Sequence, residues 1–230
     1  MVSAHAYSTL LENVRAAKER KLELLATTNH APAIPDGAHE WHFHCTHELP
    51  DVIDGVKMLY GAELNVLDPS GRIDLPEFVL KMQGLHIASL HGPCYNSQGK
   101  TDHTKTWLNV LKNPYVDILG LVGRGDFPFD HNAVAKAAKE ADVCIEINCK
   151  TLSDSASREV CADVLACCKK YGTKITVGSD SHFCGYIGDF ENAISLLSEV
   201  DYPEELVVSS KADSLLSHLK IKNKYFRYAF

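Results

Sequence analysis

No apolar run in the chain approaches the roughly 18 residues that a membrane-spanning helix needs. The opening residues, MVSAHAYSTL, lack the apolar centre of a signal peptide. The expectation is therefore a cytoplasmic protein with no membrane partner. No C-x-x-C pair occurs among the cysteines at 45, 94, 144, 149, 161, 167, 168 and 184, which read as reduced thiols. Neither G-x-G-x-x-G nor a Walker loop is present, so the usual nucleotide fingerprints are missing. Positive charge is scarce. Lys and Arg number 23 against 30 Asp and Glu, net −7, with no basic stripe, which makes nucleic acid an unlikely partner. Linkers, repeats and low-complexity segments are absent too. With 230 residues, 45% of them hydrophobic, the simplest organisation is one domain spanning 1–230.

Histidine is abundant, at 12 residues. The remaining sequence alternates two periodicities. Thr9 and Glu12 form a possible capping box ahead of a helix over 10–21. Apolar runs predict strands at 22–27, 56–66, 85–90, 116–122, 142–148 and 174–179. Helices are expected at 101–113 (capped by Thr101 or Asp102), 130–141, 155–172, 188–200 (capped by Asp189) and 212–220. Near-continuous apolar strands alternating with helices imply a parallel sheet covered on both faces, either a barrel or an open doubly wound sheet.

The strand ends carry the chemistry. LLATTNH ends in His30, YGAELNV carries Glu63, IASLH ends in His91, CIEIN carries Glu146, and ITVGSDSH ends in Asp180 and His182. In a parallel α/β fold these carboxyl ends share one face, where ligands bind. Imidazoles and carboxylates converging there suit Zn²⁺, Mn²⁺ or Fe²⁺. His39, His42, His44 and His47 crowd the segment HEWHFHCTH, which reads either as a metal-binding tract or, in preference, as a lid with Trp41 and Phe43 packed inward and some imidazoles toward the cleft. His86 reads as structural, and His103, His131 and His218 as helix-surface residues. Arg124, after a strand end, could meet an anionic substrate. A Cys–His nucleophile at Cys94 or Cys184 has no support in the spacing.

The segments HAYSTL, TTNHAP, WHF, GAELNV, SLHGP, IEIN and GSDSHF, in this order, resemble the polymerase-and-histidinol-phosphatase (PHP) superfamily, and within it the YcdX-type phosphatases. The resemblance implies a distorted (β/α)7 TIM-like barrel, a cleft holding three metal ions, and phosphoester hydrolysis. Carried onto this sequence, it implies metal ligation by His5, His30, Glu63, His91, Asp180 and His182, with Glu63 as the bridging carboxylate. His42 would line the cleft, and Glu146 would support the barrel.

The sequence departs from that pattern in several places. The family's D-L-H-x-H-T strand has no counterpart, since Met1 precedes His5 by only four residues. Leu121 and Val122 stand where a His-Pro is expected, and Asn29 where an aspartate is usual. The expected barrel thus lacks its first strand, leaving edges that could pair with the N-terminus, the tail or a second subunit as a homo-oligomer. One to three ions are expected. The set His5, His30 and His182 is complete, and two protein ligands remain at each site bridged by Glu63. The resulting expectation is a metal-dependent phosphatase acting on a small phosphorylated metabolite through a partly degraded trinuclear site. The alternative is a weak or inactive pseudoenzyme that binds metal and a phosphorylated ligand.

Overall fold

Thr9 starts the first helix, α1 (Leu10–Glu19), in the computed structural model, which describes residues 5–96 and 99–221. The readings that rest on residues 1–4 lie outside that range. The Glu12 N–H donates to Thr9 Oγ1 (3.3 Å), and the Thr9 N–H donates to the Glu12 carboxylate (2.7 Å). This reciprocal cap satisfies two N–H groups that helix ends otherwise leave unpaired. Val14 and Ala17 bury the inner face of α1 against Val56, Met58 and Leu59.

The chain continues through β1 (Leu24–His30), α2 (Glu40–His44), β2 (Val52–Ile53), β3 (Val56–Asn65), α3 (Glu77–Leu80), β4 (Leu85–Ser89) and α4 (Lys100–Val110). Then come β5 (Ile118–Leu119), α5 (His131–Ala141), β6 (Cys144–Asn148), α6 (Ser155–Tyr171), β7 (Ile175–Gly178), α7 (Glu191–Glu199) and α8 (Ala212–Ile221). The sheet order is β1-β3-β4-β5-β6-β7, all parallel, with β2 pairing antiparallel to β3. This is an α/β fold whose curled parallel sheet makes a half-barrel. Ile145, Ile147, Leu119 and Leu165 are among the fully buried side chains of the main core. Each contributes roughly 1.5–3 kcal/mol by leaving water.

The gap expected between the first remaining strand and the final strands is present: the sheet does not close. Among the described residues no strand pairs β7 with β1. Between them lies a cavity of about 220 Å³, bordered by Ala26–Thr28 on one side and Thr176–Gly178 on the other. The segment around Tyr7 and the segment 207–209 cover part of that gap. The Tyr7 N–H donates to His182 O (2.8 Å), Val207 bridges to Ile175, and the Val177 N–H donates to Ser209 Oγ (2.7 Å).

Several local readings also change. β1 runs on to His30 because it holds unbroken register with β3, from Leu24↔Lys57 to His30↔Glu63. The strand expected over 116–122 shrinks to β5. A Cβ at Gly120 would come within 2.6 Å of the Ile87 side chain, and Leu121 turns to φ +56°, outside strand geometry. α4 begins after Gly99 without a side-chain cap from Thr101 or Asp102, and Phe190 rather than Asp189 occupies the N-cap of α7. The His-rich segment is α2 plus a short 3-10 turn. Phe43 is buried there as expected, but Trp41 is 71% exposed.

His86 is buried, as its structural reading requires. His103 and His218 are buried as well, against expectation. His103 shares the inner stripe of α4 with Thr106, Trp107 and Val110, and its Nδ1 contacts Pro128 O at 2.9 Å. His218 shares the inner face of α8 with Leu215 and Leu219 and lies 3.3 Å from Cys144 Sγ. All eight cysteines are free thiols, and among the described residues no helix is long and apolar enough to cross a membrane.

Candidate metal centre

The parallel sheet delivers three of the site's side chains directly. His30 is the last residue of β1 and the register partner of Glu63 on β3, while His91 follows β4. Asp180 and His182 follow β7. His5 arrives by a different route. The Tyr7 N–H bond to His182 O and the Cys184 N–H bond to Ser8 Oγ (2.8 Å) tie the N-terminal segment beside β7. The His5 ring then stacks on His182 with centroids 4.5 Å apart, and lies 5.0 Å from His30.

Two groups of potential ligands result. His5, His30 and His182 form one, and His30, Glu63 and His91 the other; in each, the ligand atoms lie within 4.8 Å of one another. His30 belongs to both groups and, as a neutral imidazole with one lone pair, can complete one of them at a time.

Hydrogen bonding fixes the imidazoles in ligand-ready form. Asn65 Nδ2 donates to Ala31 O (3.0 Å) and Asp74 Oδ2 (2.6 Å), which turns Asn65 Oδ1 toward His91 Nδ1 at 2.7 Å. An amide oxygen only accepts, so His91 Nδ1 carries the proton and Nε2 presents a lone pair. That Nε2 lies 3.2 Å from Glu63 Oε1, and His30 Nδ1 lies 3.2 Å from Glu63 Oε2. Both nitrogens are buried, and despite these distances neither is aligned for a hydrogen bond. A lone pair facing a carboxylate oxygen in a buried site is unfavourable on its own, and an unsatisfied buried polar group costs about 1–3 kcal/mol. A divalent cation between these atoms would remove both penalties, so the residues fit a metal ion. On the other side, His182 Nδ1 donates to Asp180 O (2.9 Å), which leaves its Nε2 as the ligand atom. Lys150 Nζ sits 3.3 Å from the same Nδ1. The carbonyl can only accept and is the nearer, so we place the proton on Nδ1 and read the ammonium as free to serve the cleft.

Burial pushes the His30 imidazole below its usual range, against the opposing pull of Glu63, so it is neutral at neutral pH as a ligand must be. Burial pushes Glu63 upward, and the positive charge that His91 and His30 carry when protonated pulls it down further, so the carboxyl is lowered on balance. Glu146 goes the other way. Burial, then the charges of Asp180 and Glu63, raise it to about 8. Its carboxyl accepts from the Leu121 N–H (3.2 Å) and Asn148 Nδ2 (3.3 Å). Gly178 leaves room for it, since a Cβ there would come 2.7 Å from Oε1. Asp180 (φ +48°) and Leu121 (φ +56°) both hold left-handed backbone, strain of the kind that collects at functional sites.

A cleft of about 220 Å³ opens over both groups. Its walls include His5, His30, Glu63, His91, Asp180 and His182, and Arg124 and Lys150 bring positive charge to it. Leu121 also lines it, a carbon side chain where an imidazole was expected. His42 is not among the lining residues. Asn29 Nδ2 lies 2.9 Å from His42 Nε2, so the amide donor occupies that lone pair on α2, and the cleft-lining reading of His42 is corrected. Lys150, Asn65 and Asn148 were missed. Asn65 and Asn148 stand within the segments GAELNV and IEIN that already marked the site, and Lys150 follows two residues later.

No family model matches the chain. It is 42% identical over 226 residues to a probable phosphatase of Clostridium novyi, an alignment covering 97% of this chain and 93% of that one. A probable phosphatase of Caldanaerobacter subterraneus is 40% identical over 227 residues, covering 97% of this chain and 89% of the relative. Among solved structures, the fold is similar to histidinol phosphate phosphatase of Lactococcus lactis in complex with zinc, L-histidinol and phosphate. The TM-score is 0.63 at 17% identity, covering 87% of this chain and 90% of that one. A chain of an archaeal ribonuclease P with mature tRNA shows the same likeness of fold, with TM-score 0.62 and 17% identity over 96% of this chain and 91% of that one. Identity of 40–42% along nearly the whole length places the chain in the family of these probable phosphatases.

Proposed function

We propose that the chain is a metal-dependent phosphomonoesterase of the PHP type, nearest to the YcdX-type phosphatases, acting as one cytoplasmic domain on a small phosphorylated metabolite. The observation that carries this reading is the pair of ligand groups sharing His30 beneath a cleft that also holds Lys150 and Arg124. Imidazole and carboxylate donors suit Zn²⁺ first, then Mn²⁺ or Fe²⁺. A metal ion in such a site supplies a water of lowered pKa and stabilises charge on phosphoryl oxygens.

The chain's own residues do the rest. Lys150 and Arg124 draw the phosphate dianion into the cleft and offset its charge as the ester bond breaks. Asn65 and the Asp180 carbonyl hold His91 and His182 in one tautomer each. Glu146, neutral at pH 7, supports Leu121 and Asn148 without adding a further anion beside Glu63 and Asp180.

A second reading, a phosphoester-binding protein with little turnover, is favoured by Leu121, which contributes no ligand to the cleft wall. Turnover of p-nitrophenyl phosphate, with and without added Zn²⁺ or Mn²⁺, separates the two, with His30→Ala as control. Metal-dependent turnover that disappears in His30→Ala supports the hydrolase. Turnover that persists in His30→Ala excludes this centre as its source.

A further inference from the structure

Beside the metal centre lies a second cavity, of about 490 Å³, which shares Lys150, Asp180 and His182 with the cleft. The hydrolytic chemistry makes no use of it, and its size falls within the ~300–1,000 Å³ of small-molecule sites. Its walls carry Tyr7, Phe183 and Tyr186, which are 76%, 51% and 63% exposed. Three large exposed rings around one cavity are costly in water unless something covers them. Phe183 and Tyr186 meet edge to face with centroids 6.0 Å apart. The Phe183 ring lies over Gly185, where a Cβ would come 2.9 Å from Cε1, so the ring packs closely on the turn. Ser153, Asp189 and Asn192 supply polar groups to the same walls.

We infer that this cavity receives the ester substituent of the substrate, and that the substituent carries a flat heteroaromatic ring, as a nucleoside 5′-monophosphate does. This rests on the phosphatase reading. A phosphate held near Lys150 and His182 has this cavity as its immediate neighbour. Exposed aromatic side chains reward a π-face without demanding one base. The Asp189 carboxylate accepts, and the Asn192 amide both donates and accepts, which matches exocyclic amino groups, ring nitrogens or ribose hydroxyls. Glycerol 3-phosphate would leave the rings wet. A hexose phosphate would set several hydroxyls against apolar faces with few partners.

The test uses the metal-loaded chain with adenosine 5′-monophosphate, glucose 6-phosphate and glycerol 3-phosphate. Turnover is read by phosphate release and binding by titration calorimetry. Adenosine 5′-monophosphate should have the highest kcat/KM. Phe183→Ala should lower its advantage over glycerol 3-phosphate about tenfold, and Phe183→Leu, which keeps apolar volume but no ring face, nearly as much. Phe183 is half exposed, and matching melting curves will confirm that both variants fold. If no phosphoester turns over but adenosine 5′-monophosphate binds and Phe183→Ala weakens it, the hydrolase reading fails and this inference stands. If glycerol or glucose phosphate is hydrolysed as well as the nucleotide, with ratios indifferent to Phe183→Ala, the inference is overturned and the hydrolase stands. Absence of both nucleotide binding and nucleotide turnover also overturns it.

Discussion

His30 and Glu63 face each other across the β1–β3 register, and their side chains end 3.2 Å apart. Seven consecutive residue pairs hold that register, so the two groups are placed by the sheet itself and not by a loop. His30 also belongs to the group with His5 and His182. Its loss should therefore damage both groups, and any metal bound there becomes folding energy. In calorimetric melts with and without EDTA, His30→Ala should erase the chelator-sensitive part of the melting temperature. Glu63→Ala and His182→Ala should each remove only part of it. A Glu63→Ala protein with the full EDTA response would mean that Glu63 holds no ion.

Asn65 acts through His91. Its amide is locked by Ala31 O and Asp74, and in turn it locks the His91 tautomer. Removing such a partner of a metal-binding histidine typically costs about 10–100-fold in metal affinity. Asn65→Ala should show that loss in Zn²⁺ competition against a chromophoric chelator. Equal affinity in the two proteins would show that His91 needs no such support.

Glu146 sets a pH dependence of definite sign. The unfolded carboxyl titrates near its ordinary 4.5 and the folded one at about 8. Between those values the folded chain holds a proton that the unfolded chain has released. Stability from this group is therefore complete below about 4.5 and drains away as pH rises through about 8. Glu146→Gln keeps a neutral side chain of the same shape and removes the titration. In EDTA, the wild-type melting temperature should fall relative to that of Glu146→Gln between about pH 5 and pH 9. His30, shifted the opposite way, contributes equally to both proteins and cancels. Parallel curves would place Glu146 in a wetter site than this structure gives it.

Much of the site could be read from the sequence because a parallel sheet converts sequence position into geometry. Each strand's carboxyl end must face the same rim, so the sequence alone groups His30, Glu63, His91, Asp180 and His182. What failed depended on contacts made across the fold. Leu121 leaves its strand because Gly120 packs against Ile87 and Glu146 takes the Leu121 N–H. His30 completes the group with Glu63 through a register that no single strand encodes. The resemblance places His42 in the cleft, yet Asn29, near the end of the preceding β1, takes its nitrogen. His103 was a different kind of miss. Its spacing from Thr106, Trp107 and Val110 is that of a buried helical stripe, so the period was present and a polar residue masked it.

Lys150 gives the prediction that separates metal binding from substrate binding. Its ammonium stands 3.3 Å from His182 Nδ1 and lines the cleft. A fixed positive charge beside a metal site repels the cation and attracts the phosphate, so removing it should move the two affinities in opposite directions. Lys150→Met keeps the length of the side chain and deletes the charge. The Zn²⁺ dissociation constant should stay the same or tighten, because the repulsion is gone and Nδ1 still has the Asp180 carbonyl to hold its proton. KM for p-nitrophenyl phosphate should rise, by about tenfold for one lost charge-assisted contact. Both effects should shrink at high ionic strength, since Lys150 is exposed and its field is screened. Weaker zinc binding in Lys150→Met would instead make the lysine a prop for His182. An unchanged KM would leave Arg124 as the cation that meets the phosphate.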